Sequence, residues 1–290
     1  MMLASCAKDT DSVKMTPGGY EYKVCSDKKG NVIQTGEFAF FDLTIRSGDS
    51  LLQSSHDEAV PVAVKIDEKN DMYGKFAPVI DMIRTMSPGD SCVLYFPKDS
   101  FATNNPALAA LEDVITYEVM LKEVKNEEAY KVYQDSLNAI KQIEIAAVQA
   151  REVEVATQVQ DLYTQYMANA LKSDLQITES GLEYIIHEAG NPQMKVDAGD
   201  YIGVHYYGTF KSDNTMFDNS FKRGEPYGLT VGRGEVIPGW DEGLQLLNEG
   251  SKATFFIPYE LAYGKAGRAP SIPAEADLIF YVEIDNVVNR

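Results

Sequence analysis

Residues that usually hold metal ions are scarce in this chain. Three histidines and three cysteines occur among its 290 residues. The histidines, His56, His187 and His205, lie far apart, and no Cys-x-x-Cys pair occurs. Protein zinc sites are usually built from closely spaced cysteines and histidines. The sequence therefore predicts no metal site, and we expect His205, in a β-prone run, to be a core residue.

Positive charge and long apolar runs are also in short supply. The chain has 26 Lys and Arg against 44 Asp and Glu, which gives a net charge of −18. This balance disfavours a nucleic-acid-binding protein, because such affinity comes largely from neutralising phosphates. No apolar run approaches the roughly 20 residues of a membrane-spanning helix. With 44% apolar residues the composition is globular, and the length suggests about two domains.

The first residues contain a processing motif. Leu3-Ala4-Ser5-Cys6 resembles the lipobox of bacterial lipoproteins, in which Cys6 would be the lipidated residue. Residues 1–15 would then comprise a signal remnant, the lipobox and a flexible tether. The resemblance implies export to the bacterial cell envelope and anchoring to a membrane by acyl chains, facing the periplasm or the cell exterior. The alternative is an ordinary polar tail without a lipid.

Export would change how the other two cysteines are interpreted. Cys25 and Cys92 both lie in strand-like runs, Tyr20–Cys25 and Ser91–Phe96. In an oxidising compartment the two could form a disulfide. The alternative is a pair of buried free thiols.

Short β-prone runs separated by turn residues occupy two parts of the chain. Residues 16–125 contain several such runs, and apolar residues at helical spacing between Phe76 and Met86 predict a short helix. Residues 176–290 contain further strands, with Gly and Pro at their junctions. We therefore expect one β-rich domain in each part.

The stretch between these parts contains neither Gly nor Pro. Residues 126–174 are rich in Ala, Glu, Gln and Lys, and apolar positions recur at three- and four-residue steps. A continuous helix here would be roughly 70 Å long, too long for one small domain. We assign residues 126–175 to a long connecting helix that either spaces two domains or pairs with a second copy in a homodimer. Glu144 and Arg151 interrupt the apolar stripe and disfavour a regular coiled coil.

The two β-rich segments resemble each other at a nearly fixed offset. Pro88–Pro97 aligns with Glu249–Pro258, and Gly36–Phe38 aligns with Gly199–Tyr201. We interpret this repeat as one fold used twice. The aromatic positions do not repeat: Trp240 falls opposite Val79, Tyr206 opposite Leu43, and Tyr263 opposite Ala102.

The chain's only tryptophan ends the stretch Gly234–Trp240. Pro238 suits the first turn of a helix, where no backbone donor is needed. Trp240 would then lie in that first turn, either as an ordinary core residue or as the floor of a pocket.

Several sequence blocks occur together in order in residues 178–287. They are Val204–Gly208, Phe217–Ser220, Val236–Leu244, Ile257–Gly264, Ile272–Pro273 and Leu278–Phe280. With these blocks the segment resembles the FKBP-type peptidyl-prolyl cis-trans isomerases. The resemblance implies an α+β fold in which a twisted antiparallel sheet wraps a short helix. With the repeat, we expect two FKBP-like domains joined by a long α-helix.

The resemblance also implies the residues of a site. The catalytic residues would be Tyr206, Phe217, Asp218, Trp240 and Tyr263. The substrate-binding residues would be Arg223, Tyr227, Val236, Ile237, Ile272 and Phe280. The Ile237 N–H and the Tyr263 hydroxyl would donate hydrogen bonds to substrate carbonyls, and Arg223 would pair with Asp218. Taken singly, the aromatic residues could belong to the core and the charged pair to the surface.

The resemblance implies an isomerase in residues 176–290 that needs no cofactor. Residues 16–125 would be a degenerate FKBP-like domain that has lost the pocket. The partners would be unfolded or folding exported polypeptides that contain X-Pro bonds, and macrolide ligands of the family. The alternative is a folding chaperone or protein-binding module, in which the first domain and long helix grip unfolded chains and isomerase activity is secondary.

Overall fold

The computed structural model describes residues 13–56, 61–68, 77–98 and 111–288. The chain divides into two compact units, residues 1–137 (the first unit) and residues 138–290 (the second unit). Each unit combines an antiparallel sheet with helices, so the predicted α+β class is confirmed.

The first unit contains a seven-stranded sheet in the order β1-β2-β6-β7-β3-β4, with β5 paired to β3. The neighbouring strands run antiparallel. The strands are β1 (Val13–Met15), β2 (Glu21–Ser26), β3 (Phe38–Ser47), β4 (Ser50–Ser54), β5 (Val62–Lys65), β6 (Ser91–Pro97) and β7 (Val114–Lys125).

The second unit contains another seven-stranded sheet, in the order β12-β11-β16-β15-β9-β8, with β13 paired to β11. Two short strands, β10 and β14, pair separately. The strands are β8 (Gln176–Ile177), β9 (Glu183–Glu188), β10 (Asn191–Lys195), β11 (Tyr201–Phe210), β12 (Met216–Asn219), β13 (Tyr227–Thr230), β14 (Asn248–Glu249), β15 (Lys252–Ile257) and β16 (Leu278–Val288).

The two large sheets have the same topology. Read from β8, the second sheet repeats the strand order of the first, and its short side strand, β13, occupies the place of β5. The registers correspond as well: Phe38 pairs with Lys125 as Tyr201 pairs with Val288. The register shift after Phe40 in β3 recurs after Gly203 in β11. The prediction of one fold used twice is therefore confirmed.

A short helix packs in each unit, α1 (Ala77–Ile83) in the first and α4 (Pro238–Leu244) in the second. The structure describes α1 from Ala77 onward, so the predicted helical position Phe76 lies outside the described residues. In α4, two glycines allow close packing on β15. A Cβ on Gly239 would lie 2.6 Å from Ile257 Cγ2, and one on Gly243 would lie 2.8 Å from the Phe255 ring.

The long helix is confirmed, but it is bent. It consists of α2 (Glu127–Ala150) and α3 (Glu152–Met167), and Arg151 lies between them. The Arg151 N–H donates to Val148 O, three residues back, instead of four. Its side chain forms an ion pair with Glu283 at 2.5 Å and lies over the Phe221 ring. The arginine that interrupts the apolar stripe is thus anchored to the sheet at the bend.

The predicted disulfide between Cys25 and Cys92 is wrong, because Cys92 carries a free thiol. The β2–β6 register places Val24 opposite Cys92, and Cys25 lies at the register shift that follows. Successive residues of a strand face opposite sides of the sheet. Cys92 therefore faces the same side of the sheet as Val24, and Cys25 does not. Cys92 is buried, and burial raises the pKa of its thiol to about 12.

The predictions for Cys6 and for Ala102 lie outside the described residues. Within the part of the chain that the structure describes, no helix is long and apolar enough to cross a membrane.

Candidate active site

Trp240 forms the floor of a cavity in the second unit. It follows Pro238 by two residues in the first turn of α4 and is 4% exposed. Its indole meets the Tyr206 ring edge-on at a centroid distance of 5.2 Å, and meets Phe280 in the same way at 5.2 Å. Such perpendicular contacts are favoured by aromatic quadrupoles. The tryptophan is therefore both a core residue and a wall of the cavity.

The cavity has a volume of about 260 Å³ and combines aromatic walls with a charged rim. Its lining residues are Tyr206, Phe217, Asp218, Tyr227, Glu235, Val236, Ile237, Trp240, Tyr263, Arg268 and Phe280. All five predicted catalytic residues line it, together with Tyr227, Val236, Ile237 and Phe280.

Gly208 makes room for the aromatic wall. It lies in β11, where its Cα partners are Asp218 in β12 and Phe280 in β16. A Cβ at this position would lie 2.8 Å from both the Phe217 and the Phe280 rings. Real Cβ atoms essentially never come so close, so any other residue would displace one of the rings. The glycine in the Val204–Gly208 block therefore shapes the cavity.

A hydrogen-bond network lies on the polar side. The Tyr206 hydroxyl donates to Asp218 Oδ2 at 2.5 Å, and the Arg223 guanidinium donates both to Asp218 Oδ1 at 2.8 Å and to the Tyr206 hydroxyl at 2.7 Å. Burial and the bond to Asp218 raise the pKa of Tyr206 to about 12. Tyr206 therefore remains a neutral phenol. Arg223 does not line the cavity itself but fixes two residues that do.

Two hydrogen-bond donors at the rim have no acceptor among the described residues. The hydrogen bonds of the described residues include none from the Ile237 N–H and none from the Tyr263 hydroxyl. Beside them, Asp241 accepts bonds from the N–H groups of Gly232 and Gly234, each at 2.9 Å. This carboxylate ties the loop before α4 to the helix. The rim can therefore offer one backbone donor and one side-chain donor to the carbonyl groups of a bound peptide.

Ile272, predicted to bind substrate, lies in the core. It is 5% exposed, and its N–H donates to Arg268 O at 2.9 Å. Ile272 thereby supports the loop that carries Arg268 from the core side. Sequence reasoning missed two lining residues, Glu235 and Arg268. Glu235 directly precedes a recognised block, and Arg268 lies in a loop between two blocks. No motif could have identified either residue.

Arg268 gives the rim a positive group. Its guanidinium carbon lies 5.9 Å from the centroid of the Tyr263 ring, and the residue is exposed. None of the ion pairs among the described residues involves it. Metal-ligating residues do not cluster in the part of the chain that the structure describes. The site therefore offers aromatic rings, donors and charges for binding.

Residues 193–285 match the family model for FKBP-type peptidyl-prolyl cis-trans isomerases. The second unit contains an FKBP domain. The matched residues run from β10 to β16 and include every residue that lines the cavity. The helical residues of the same unit, 138–167, precede the match and lie outside it.

Similar proteins carry the same description. The FkpA isomerase of Aeromonas hydrophila is 50% identical over 117 residues, which are 40% of this chain and 42% of that protein. A probable FKBP-type isomerase of Haemophilus influenzae is 37% identical over 155 residues, 53% of this chain and 63% of the relative. The chain thus spans about half the length of the curated relatives it matches.

Among solved structures, the crystal structure of AtFKBP13 matches 39% of this chain and 98% of its own, at 32% identity and a TM-score of 0.37.

Proposed function

We propose that the FKBP domain of this chain catalyses cis-trans isomerisation of X-Pro peptide bonds. The observation that supports this most directly is the cavity with Trp240 as its floor and with Tyr206 and Phe280 meeting it edge-on at 5.2 Å. An apolar recess of this kind suits a prolyl ring, and the donors at its rim suit the carbonyls on either side.

The reaction needs no nucleophile. Rotation about the amide has a barrier of about 18–20 kcal/mol because resonance is lost in the twisted state. A site accelerates this rotation if it binds the twisted amide more tightly than the planar one. The rings of Trp240, Tyr206 and Phe280 would exclude water from the bond, and a dry site favours the less dipolar twisted form. Catalysis would thus come from selective binding.

The polar groups would orient the peptide. The Ile237 N–H and the Tyr263 hydroxyl would donate to substrate carbonyls, at a net contribution of about 1 kcal/mol each. Asp218, held by Arg223 and Tyr206, would set the electrostatic field near the twisting carbonyl. These roles make Asp218, Tyr263, Trp240, Phe217 and Tyr206 the proposed catalytic group.

The proposed substrates are unfolded or folding polypeptides with X-Pro bonds, and macrolide ligands would compete for the same cavity. Lipidation at Cys6, anchoring in a bacterial envelope and exported clients stay predictions that rest on the lipobox. We also propose that the first unit is a non-catalytic partner domain, because leucine and valine replace Tyr206 and Trp240 at its equivalent positions.

The test is cis-trans exchange in a short X-Pro peptide, measured with the full chain. We expect Trp240→Ala combined with Tyr263→Ala to lower kcat/KM about 100-fold, equivalent to about 2.7 kcal/mol of transition-state stabilisation. Val79→Ala, at the position equivalent to Trp240 in the first unit, is the matched control and should leave the rate unchanged. An inactive, folded wild-type chain would refute the proposal.

A second candidate function, protein binding by the helix, is favoured by one observation. Ile140, Ile143 and Val153 are 54%, 69% and 77% exposed, and α2 contains no buried residue. Exposed apolar side chains of this kind could hold unfolded chains or a second copy. Ile140→Ser with Ile143→Ser should weaken suppression of client aggregation and spare the peptide rate. Sedimentation of the same variant separates the two occupants, because loss of a dimer would indicate self-association.

A further inference from the structure

The helical residues of the second unit lie directly behind the segment that carries Asp218 and Arg223. At one end, Asn219 Nδ2 donates to Glu152 Oε1 at 3.1 Å. At the other, Gln149 Nε2 donates to Lys222 O at 3.1 Å. The two helical residues are neighbours across the bend at Arg151 and hold opposite ends of a four-residue turn. Helix and turn are thus joined by paired hydrogen bonds.

The turn between these bonds is tightly packed. A Cβ on Gly224 would lie 2.6 Å from Ile145 Cγ2 and 2.9 Å from Ile145 O, so the helix touches the backbone here. Gly224 has a φ of +77°, a conformation that other residues rarely adopt. Phe221, which is fully buried, packs with Val155 and Val159 of α3. The turn therefore has little freedom to move without the helix.

The same turn reaches the cavity on its other side. Asn219 Oδ1 accepts the Lys222 N–H at 2.7 Å, and Ser220 Oγ accepts the Tyr206 N–H at 2.8 Å. Asp218 and Arg223 flank this turn and bond to each other at 2.8 Å. A displacement of the turn would therefore change the distances on which the Tyr206–Asp218–Arg223 network depends.

We infer that Glu152 and Gln149 are positioning residues of the isomerase site, acting through Asn219 and Lys222 on the Asp218–Arg223 pair. The inference rests on the proposed function. Neither residue touches the cavity, and both lie outside the matched residues 193–285. The working catalytic unit would accordingly begin within α2. Small misplacements of reacting groups can cost on the order of 100-fold in rate, so even indirect support is measurable.

The test uses single substitutions in the full chain. Glu152→Ala removes the acceptor for Asn219 and is expected to lower kcat for an X-Pro peptide about tenfold, with KM changed less than twofold, because the cavity walls stay in place. Glu152→Gln keeps a carbonyl acceptor and should restore most of the rate. Glu154→Ala, on the same helical turn but bonded only to Gln158, is the matched control.

Two further measurements separate positioning from general stability. In an Arg223→Ala background, Glu152→Ala should have less than a twofold additional effect, because the pair on which it acts is already broken. The only tryptophan gives one indole N–H resonance, which should shift in Glu152→Ala and return in Glu152→Gln. Equal losses in Glu152→Ala and Glu154→Ala, or no rescue by glutamine, would overturn the inference.

A wild-type chain without isomerase activity would refute the proposed function but leave this inference testable. The indole resonance would then be the test of the positioning role, because it reports the geometry of the cavity without turnover. An unchanged resonance in Glu152→Ala would overturn the positioning role.

Discussion

The two units share a strand order and a register but differ where their short helices face their sheets. The third residue of α1 is Val79, and the third residue of α4 is Trp240. Leu43 of β3 lies at the position of Tyr206 in β11. Both aliphatic residues are buried, at 2% and 6% exposure. The fold therefore accommodates either aliphatic or aromatic side chains at these positions, because a core needs only apolar volume. A pocket, in contrast, needs side chains of specific shape.

The two units also differ at the positions that form the polar side of the cavity. The β3–β4 register pairs Ile45 with Gln53, and the β11–β12 register pairs Gly208 with Asp218. The first unit thus has a branched side chain where the second leaves space for two rings. It also has an amide in place of the carboxylate. The site therefore depends on a few positions that the fold itself does not constrain.

The largest effect is expected from giving the second unit the residue of the first at Gly208. Gly208→Ile would force the Phe217 and Phe280 rings apart, since a Cβ alone would lie 2.8 Å from each. We expect kcat/KM to fall about 100-fold while the fold persists. The matched control is Ile45→Ala, which should cost the first unit about 2 kcal/mol and leave the rate unchanged. A Gly208→Ile variant with full activity would show that the ring positions do not matter.

A smaller effect is expected at the carboxylate. Asp218→Ala removes the shared acceptor of Tyr206 and Arg223, and charge-assisted hydrogen bonds are worth about 1.5–3 kcal/mol. We expect kcat/KM in the peptide assay to fall about tenfold. Gln53→Ala changes the equivalent residue of the first unit and should have no effect. If both variants kept the wild-type rate, the Asp218 network would be structural.

The two units are expected to share one property, a loss of stability at alkaline pH. Burial raises the pKa of Tyr206 to about 12, and burial likewise raises that of Tyr117 in the first unit to about 12. A phenol whose folded-state pKa lies above its ordinary value of 10.0 stabilises the fold below that pH, and the stability is lost as the pH rises towards 12. The loss between pH 8 and 11 would be about 1.4 kcal/mol per tyrosine.

Urea unfolding followed by Trp240 fluorescence reports the second unit alone. Its midpoint should fall between pH 8 and 11, and the fall should be smaller in Tyr206→Phe. Tyr117→Phe should leave this fluorescence transition as it is and change only the part of the circular dichroism signal that the first unit contributes. An identical pH response in all three proteins would contradict the assigned burial of Tyr206.

Local patterns explain why so much of this could be predicted. Periodicity and turn residues revealed the strands and the long helix, and the fixed offset of Gly36–Phe38 and Gly199–Tyr201 revealed the repeated fold. The blocks around Trp240 identified the residues that line the cavity, because their order preserves the geometry. The pattern of each strand and each single block lies within about ten adjacent residues, whereas the helix and the repeat are recognised from regular spacing over longer stretches.

Other features depend on residues far apart in the chain. The bond from Asn219 to Glu152 joins residues 67 positions apart, and no sequence pattern marks it. Whether Cys25 lies opposite Cys92 depends on the register of β2 and on the shift within it. Strand propensity does not reveal such a shift. Ile272 belongs to a recognised block, yet it supports the loop from the core instead of facing the cavity. Only the folded chain determines such relations.

The smallest expected effect concerns Arg268, for which the first unit offers no described counterpart. Its exposed guanidinium over Tyr263 would attract an acidic side chain next to the proline, but solvent limits an exposed charge pair to about 1 kcal/mol or less.

The test is a series of X-Pro peptides that differ only in the residue next to the proline, which is Glu, Gln or Lys. Arg268→Gln should lower the ratio of kcat/KM for the Glu peptide to that for the Lys peptide about threefold. The rate for the Gln peptide should not change. Arg268→Lys keeps the charge and should keep the ratio, and added salt should reduce the ratio in the wild type. A ratio that responds to neither substitution nor salt would mean that the rim does not select by charge.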